Sequence, residues 1–176
     1  MFSKWYTYLL ENPYHLIFLS LPVVLVMIWA INLFVCQRNS SIYKRADLKD
    51  DIAFQNALQR LNKWLTATTF WMIIEYLCVI LPFVANSIVV YLAVDNEKTV
   101  EITVYSIISL AFVVFGYAIK PQLHKQCYRR AYALLDSAIN EYFIQFNTDQ
   151  SKNEYIVKIT KALESGENEV NASYDL

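Results

Sequence analysis

Glycine and proline are scarce in this sequence. Its 176 residues include only two glycines, Gly116 and Gly166, and four prolines. There is consequently no glycine-rich loop of the kind that cradles a phosphate. Apolar residues make up 56% of the chain and charged residues 18%. A chain with so few helix-breaking residues suits helices in lipid better than a soluble domain.

An excess of positive charge is also missing. The net charge is −1, so we expect no direct nucleic-acid partner, because proteins that bind nucleic acid usually carry a basic surface. Cys36, Cys78 and Cys127 lie far apart, no two of them form a C-x-x-C pair, and only two histidines are present. We predict that the three cysteines are free thiols, and we expect neither a metal site nor a cofactor.

No set of catalytic residues is recognisable. Neither His15 nor His124 is next to a predicted serine or cysteine nucleophile with a third group to orient it. We therefore expect that the protein is not an enzyme, and we assign no catalytic residue.

Long apolar runs are what the sequence does contain, at 14–36, 67–94 and 102–119. The first has no Asp, Glu, Lys or Arg and is about as long as the roughly 20 residues that a helix needs to cross a bilayer. Asn12 and Pro13 stand where the N-cap and first turn of that helix belong. The second and third runs are separated by a short polar turn, which predicts an antiparallel transmembrane hairpin.

The polar stretches have helical periodicity. Residues 38–66 continue into the second apolar run without a glycine or proline, which predicts one long helix. Lys120 and Pro121 predict a break, after which a second amphipathic helix has this apolar side: Leu123, Cys127, Leu134, Leu135, Ile139, Tyr142 and Phe146. A shorter helix is predicted at about 154–163. From Gly166 onward the chain is polar and acidic, and we predict a mobile tail.

The predicted fold class is an all-α membrane protein. An N-terminal transmembrane helix (1–37) is followed by a cytoplasmic amphipathic helix (38–66), a transmembrane helical hairpin (67–119), cytoplasmic helices (120–165) and a mobile acidic tail (166–176). Basic residues favour one orientation, because they are concentrated on the cytoplasmic side of membrane proteins. Only Lys4 and Lys98 fall on the opposite side from Arg38, Lys44, Arg45, Lys49, Arg60, Lys63, Lys120, Lys125, Arg129 and Arg130. The N-terminus is thus expected outside and the C-terminus in the cytoplasm.

Glu75 is the only acidic residue inside an apolar run, where a carboxylate is costly unless it is neutral, paired or facing water. Steps of four, three, four and four place it on one helical face with Val79, Pro82, Asn86 and Val90. This stripe can line a water-filled pore. Alternatively, Glu75 lies near the cytoplasmic interface, forms hydrogen bonds within its own bundle and serves only packing.

Small and polar residues in the other apolar runs are candidates for helix packing. Ser106, Ser109 and Gly116 allow a neighbouring helix to approach closely. Asn32 can form a hydrogen bond either with another protomer or within the chain, and such a bond in a membrane contributes about 1 kcal/mol of stability.

A predicted cytoplasmic helix enters the hairpin through Leu61, Trp64 and Phe70, with Leu81 and Pro82 near its middle. The stretch after the hairpin runs through Cys127, Tyr128, Arg129, Arg130, Ala133, Leu134, Glu141 and Tyr142. In these features, residues from about 56 to 169 resemble the SLATT family of two-transmembrane effectors in bacterial conflict systems. The first helix is an addition to the family's two-helix plan. Some CRISPR-associated membrane accessory proteins are similar in size and helical build.

The resemblance implies a pore-forming effector of anti-phage defence in the bacterial inner membrane. Because three helices cannot enclose an aqueous channel alone, a pore requires a homo-oligomer. The cytoplasmic helices would supply the assembly or signal face, with Leu134, Leu135, Ile139, Arg129 and Arg130 as candidates, and a separately encoded protein would act as sensor or effector partner. The alternative is a membrane-anchored scaffold that recruits a cytoplasmic defence partner without forming a pore.

Overall fold

The computed structural model describes residues 12–40, 52–94, 98–145 and 152–175. These residues form α-helices and no strand, which confirms the all-helical prediction. The helices are α1 (Pro13–Ser40), α2 (Ile52–Leu92), α3 (Thr99–Ile119), α4 (Pro121–Gln145) and α5 (Lys152–Ala172). Three segments are long and apolar enough to cross a membrane, at Pro13–Ile31, Phe54–Leu92 and Thr99–Ile119.

Helix α2 is continuous over 41 residues. At 1.5 Å per residue it is about 61 Å long, roughly twice the thickness of the hydrocarbon core of a bilayer. The prediction that the polar segment runs unbroken into the second apolar run is confirmed from Ile52 onward. Residues 41–51 of the predicted amphipathic helix lie outside the described residues, as do Lys4 and the side chains of Asn32, Arg38 and Phe146.

The chain divides into two compact units. One, here called the hairpin unit, consists of Met1–Ala30 and Ile73–Pro121, and the other, the bundle unit, consists of Ile31–Met72 and Gln122–Leu176. The hairpin unit therefore holds most of α1, the second half of α2 and all of α3, whereas the bundle unit holds the first half of α2 with α4 and α5.

The core of the hairpin unit is small. Tyr14 of α1 packs with Ala85, Ile88 and Leu92 of α2 and Tyr105 of α3. Most other apolar side chains of these helices are exposed, and on α1 they include Ile17, Leu19, Val23, Met27 and Ile31. An apolar surface of this extent is unusual for a helix in water and normal for a helix in lipid.

The core of the bundle unit is larger and is built from amphipathic faces. Its buried residues come from all three helices and comprise Phe54, Ala57, Leu61, Trp64, Ala131, Leu135, Ile139, Tyr142, Tyr155 and Ile159. Ion pairs join the helices at the surface, such as Arg60 Nη2 with Glu167 Oε1 at 3.1 Å. Apolar residues inside and charges outside are the arrangement of a helical bundle in water.

The predicted break at Lys120 and Pro121 is confirmed. Helix α3 ends with Lys120 in the left-handed conformation (φ 50°, ψ 53°), and the Lys120 amide donates to the carbonyl oxygen of Gly116. Helix α4 begins at Pro121. Proline lacks an amide hydrogen and disfavours the right-handed helical conformation in the residue before it, so the two helices cannot merge.

The predicted mobile tail from Gly166 is wrong over most of its length. Helix α5 continues to Ala172, and Gly166 is buried against the Trp64 indole. A β-carbon at Gly166 would lie 2.5 Å from Trp64 Cη2, so only glycine lets the indole come this close. The contact offsets the entropic cost of a glycine inside a helix, which is roughly 0.5–1 kcal/mol relative to alanine.

Candidate functional site

The predicted pore-lining stripe does not form one uniform surface. Val79, Asn86 and Val90 are exposed, Glu75 is half-buried and Pro82 is buried. Pro82 is therefore separated from the others and belongs to the packed side of α2. The physical reason is that the buried side covers about a third of the circumference of α2. Pro82 lies only about 60° around the helix axis from the buried Ala85, so it falls within that side.

Asn86 has an exposed side-chain amide within an apolar helical segment. No residue in the described part of the chain forms a hydrogen bond with that amide. Its helical neighbours on the exposed side are apolar, with Val79 at 63% and Val90 at 71% exposure. An amide in hydrocarbon without a hydrogen-bond partner costs several kcal/mol, so Asn86 needs water or another protein.

Ser106 of α3 is in a similar position. The exposed hydroxyls of Ser20, Ser87 and Thr103 each donate to a carbonyl oxygen of their own helix, at 2.9 Å. Ser106 is also exposed, but within the described ranges its hydroxyl has no such bond. Ser106 is thus not a packing residue of the single chain, although the sequence grouped it with Ser109 and Gly116.

Ser109 and Gly116 do pack inside the hairpin unit. Ser109 is 5% exposed. A β-carbon at Gly116 would lie 2.9 Å from Cys78 Cβ and 3.2 Å from Cys78 Sγ, so α2 and α3 approach closely here. Cys78 and Cys127 are free thiols, as predicted, whereas the side chain of Cys36 lies outside the described residues.

A polar and aromatic cluster lies where α1 begins. The Tyr14 hydroxyl is 2.6 Å from Glu101 Oε2 and 2.8 Å from Asn12 Oδ1. Lys98 Nζ donates to Asn12 Oδ1 at 3.3 Å and lies 5.5 Å from the centroid of the Tyr14 ring. His15 Nδ1 is hydrogen-bonded to the Tyr105 hydroxyl. The cluster ties the start of α1 to the start of α3.

This cluster does not follow from the sequence motifs. Asn12 is recognisable only as an N-cap, His15 has no catalytic partner nearby in the sequence, and Glu101 and Tyr105 belong to no motif. The available signal was position, because in the predicted topology the first turns of α1 and α3 lie at the same end of the hairpin unit, and both carry polar residues.

Two residues predicted for an assembly face are part of the bundle core instead. Leu135 and Ile139 are 0% exposed, whereas Leu134 is 43% exposed. The assembly prediction is wrong for Leu135 and Ile139, because their side of α4 is already covered by α2 and α5. Arg129 and Arg130 are exposed.

An open cleft of about 620 Å³ lies between α4 and α5. Leu134, Arg130 and Glu169 line it, together with Ala133, Ser137, Ala138, Glu141, Lys158 and Lys161. Lys158 Nζ donates to Glu141 Oε1 at 2.8 Å, and this hydrogen bond raises the pKa of Lys158. Arg130 Nη1 is 3.8 Å from Glu169 Oε2. The cleft thus combines an exposed leucine with charges of both signs.

His124 is held by the end of the chain. Its ring stacks on Trp71 at a centroid distance of 4.3 Å, and its Nδ1 is 3.1 Å from Ser173 Oγ. Ser173 is 3% exposed, and its hydroxyl donates to the carbonyl oxygen of Val170 at 2.6 Å. This hydrogen bond satisfies a carbonyl group in the last turn of α5. Nearby, burial and a 2.7 Å hydrogen bond to Tyr174 raise the pKa of the Tyr128 hydroxyl.

No protein-family model, curated protein or solved structure matches this chain.

Proposed function

We propose that this protein is an oligomeric pore-forming effector of the bacterial inner membrane, with its N-terminus outside and its C-terminus in the cytoplasm. The observation that carries the proposal is the exposed amide of Asn86 in an apolar helix, without a hydrogen-bond partner in the described part of the chain. A pore supplies water to this amide. A single hairpin unit cannot surround water, so several copies are needed.

Glu75 supports the same proposal. It lies eleven residues before Asn86 on α2, which corresponds to about 16 Å along the helix axis. Glu75 is half-buried, and it is the only acidic residue in the second half of α2. An acidic residue inside a membrane segment usually marks a water-filled path or an ion pathway. In the proposed pore, Glu75 lies at the cytoplasmic end of the path and Asn86 nearer the outer end.

The proposed biological role is anti-phage defence, and its support is the resemblance of residues 56–169 to the SLATT family or to CRISPR-linked membrane accessory proteins. In that role the pore opens on a signal and depolarises or permeabilises the membrane before a phage completes its cycle. The signal would come from a separately encoded sensor or effector protein acting on the cytoplasmic helices.

Ion and dye leakage tests the pore. The full chain is reconstituted in vesicles of phosphatidylethanolamine and phosphatidylglycerol, and release of potassium and of a small dye is measured for wild type, Asn86→Leu and Ser87→Ala. An apolar side chain at a narrow point in a pore excludes water, so Asn86→Leu should lower the leak by about tenfold or more.

Ser87→Ala is the matched control, because Ser87 is adjacent and exposed but its hydroxyl already donates to Phe83. It should leave the leak unchanged. Vesicles that remain sealed with wild-type protein, both alone and with the products of neighbouring genes, would contradict the pore.

A membrane-anchored scaffold is the second candidate, favoured by the cleft between α4 and α5. A cleft that exposes Leu134 beside Arg130 and Lys161 suits a protein partner with an apolar and an acidic side chain. In that case Leu134→Asp abolishes defence in infected cells, whereas Asn86→Leu has no effect. The pore predicts that Asn86→Leu also impairs defence.

A further inference from the structure

Asn86 and Ser106 occupy equivalent positions on their two helices. Each directly follows a residue of the same core cluster, Ala85 at 0% and Tyr105 at 5% exposure. One residue along an α-helix is a rotation of about 100°. Each polar side chain therefore lies about 100° around its helix axis from the buried residue before it, and the rotation has the same direction when each helix is followed from its N-terminus to its C-terminus.

The two helices run in opposite directions. Gly116, near the end of α3, approaches Cys78, and Leu92, at the end of α2, shares the core cluster with Tyr105, near the start of α3. In an antiparallel pair, the same rotation along each chain leads to the same side of the pair. Asn86 and Ser106 thus lie on one side of the hairpin.

The two side chains also lie at nearly the same level along the helix axes. Cys78 and Gly116 mark the same level, because they are in contact. Asn86 comes eight residues after Cys78 on α2, and Ser106 comes ten residues before Gly116 on α3, so both lie in the same direction from that level. The difference of two residues corresponds to about 3 Å. The amide and the hydroxyl together make one polar patch, here called the Asn86–Ser106 patch, in an apolar surface.

We propose that the Asn86–Ser106 patch of each copy faces the axis of the oligomer, where it borders the water-filled path and meets the same patch on neighbouring copies. Copies inserted with the same orientation present the same patch at the same depth, whereas an unrelated protein would need a polar group at that depth by coincidence. Both the amide and the hydroxyl can donate and accept hydrogen bonds, so the patch is complementary to itself. This inference rests on the proposed oligomeric pore and specifies which side of the hairpin forms its centre.

The opposite side of the hairpin has a different character. Val84 and Val104 precede Ala85 and Tyr105, so they are turned by the same angle in the other direction. Val104 is apolar and exposed, which suits contact with lipid or with other apolar helices, whereas Val84 is half-buried and packs on the core cluster that includes Tyr14. Ser106 and Val104 on α3 are therefore a matched pair of exposed positions, and Val84 on α2 is a half-buried counterpart of Asn86.

Cysteine cross-linking in native membranes tests the inference. Single cysteines are introduced as Asn86→Cys, Val84→Cys, Ser106→Cys and Val104→Cys into full-length protein carrying Cys36→Ser, Cys78→Ala and Cys127→Ser. After oxidation with copper phenanthroline, the yield of the covalent homodimer is measured. The yield should be severalfold higher for Ser106→Cys than for Val104→Cys, which is also exposed in the single chain, and Asn86→Cys should also exceed Val84→Cys.

Potassium leakage from the same membranes separates this inference from the proposed pore. Leakage with equal or higher cross-linking at Val84→Cys and Val104→Cys overturns the proposed contact and leaves the pore. Cross-linking at Asn86→Cys and Ser106→Cys in membranes that stay sealed supports the contact and overturns the pore. If these cysteines instead cross-link to a different protein, the proposal that another copy of this chain is the partner is wrong.

Discussion

The hairpin unit and the bundle unit use their apolar residues in opposite ways. In the bundle unit, apolar side chains from three helices face inward and ion pairs lie on the surface. In the hairpin unit, the core is small and long apolar side chains face outward, such as Phe83 at 72% exposure. One chain is therefore adapted to two solvents, since inward apolar packing suits water and an outward apolar surface suits lipid.

Each unit has one glycine where helices approach closely. Gly166 faces the large, flat indole of Trp64 in the bundle unit, and Gly116 faces the small side chain of Cys78 in the hairpin unit. In the bundle unit the glycine makes room for a bulky core residue. In the hairpin unit it lets α2 and α3 approach with little between them, which is how helices associate in lipid.

Cavities in the bundle core should reduce stability the most. Leu135→Ala and Ile139→Ala should each lower the free energy of unfolding by about 2–5 kcal/mol, because both side chains are completely buried. Leu134→Ala is the control, since Leu134 is 43% exposed, and it should cost less than about 1 kcal/mol. Thermal unfolding of the full chain in detergent, followed by circular dichroism, measures all three. Equal losses at Leu134 and Leu135 would contradict the assigned core.

A smaller effect is expected at the two glycines. Gly166→Ala places a β-carbon 2.5 Å from Trp64 Cη2, and the displaced indole should cost about 1–3 kcal/mol of stability. Trp64→Phe makes room for the new β-carbon. Gly166→Ala should therefore cost less stability in the Trp64→Phe background than in the wild-type protein. Gly116→Ala meets Cys78 at 2.9 Å and should leave the environment of Trp64 unchanged, because the two contacts belong to different units. Tryptophan emission and thermal unfolding together distinguish the two glycines.

The smallest effect is expected from the surface charges of the bundle. Arg60 and Glu167 form an ion pair at 3.1 Å, but their side chains are 49% and 40% exposed. Glu167→Gln should therefore cost only about 0.2–1 kcal/mol, and added salt should reduce the difference from wild type. Thermal unfolding at low and high salt checks this. A loss as large as that of Leu135→Ala would mean that the bundle depends on charge rather than on apolar burial.

Much of the helical architecture could be predicted from the sequence. The apolar runs are long and uninterrupted, and Lys120 with Pro121 gives a clear break, so the three apolar helices and the start of α4 follow from local rules. The end of α5 did not follow, because a polar composition and a glycine both suggest that a helix stops. Val170 lies four residues after Gly166 on the same face and packs on the bundle core, so the apolar period does continue.

The partner of each apolar face is harder to predict. Periodicity places Leu135 and Ile139 on an apolar side, but it does not say whether that side meets the same chain or another copy. Likewise, the steps between Glu75 and Val90 define one helical face, but they do not show that Pro82 is turned into the core. Such information comes from contacts between residues far apart in sequence, which local patterns do not contain.

The cluster at the start of α1 has a consequence for the order of synthesis. The Tyr14 side chain is hydrogen-bonded to Glu101, 87 residues later in the chain, and the His15 side chain is hydrogen-bonded to Tyr105, 90 residues later. At about 5–20 residues per second, a ribosome needs roughly 5–20 s to make the intervening chain. During that time, α1 exists without the residues that hold its first turn. Its early placement must therefore depend on its own apolar length, and α3 completes the attachment afterwards.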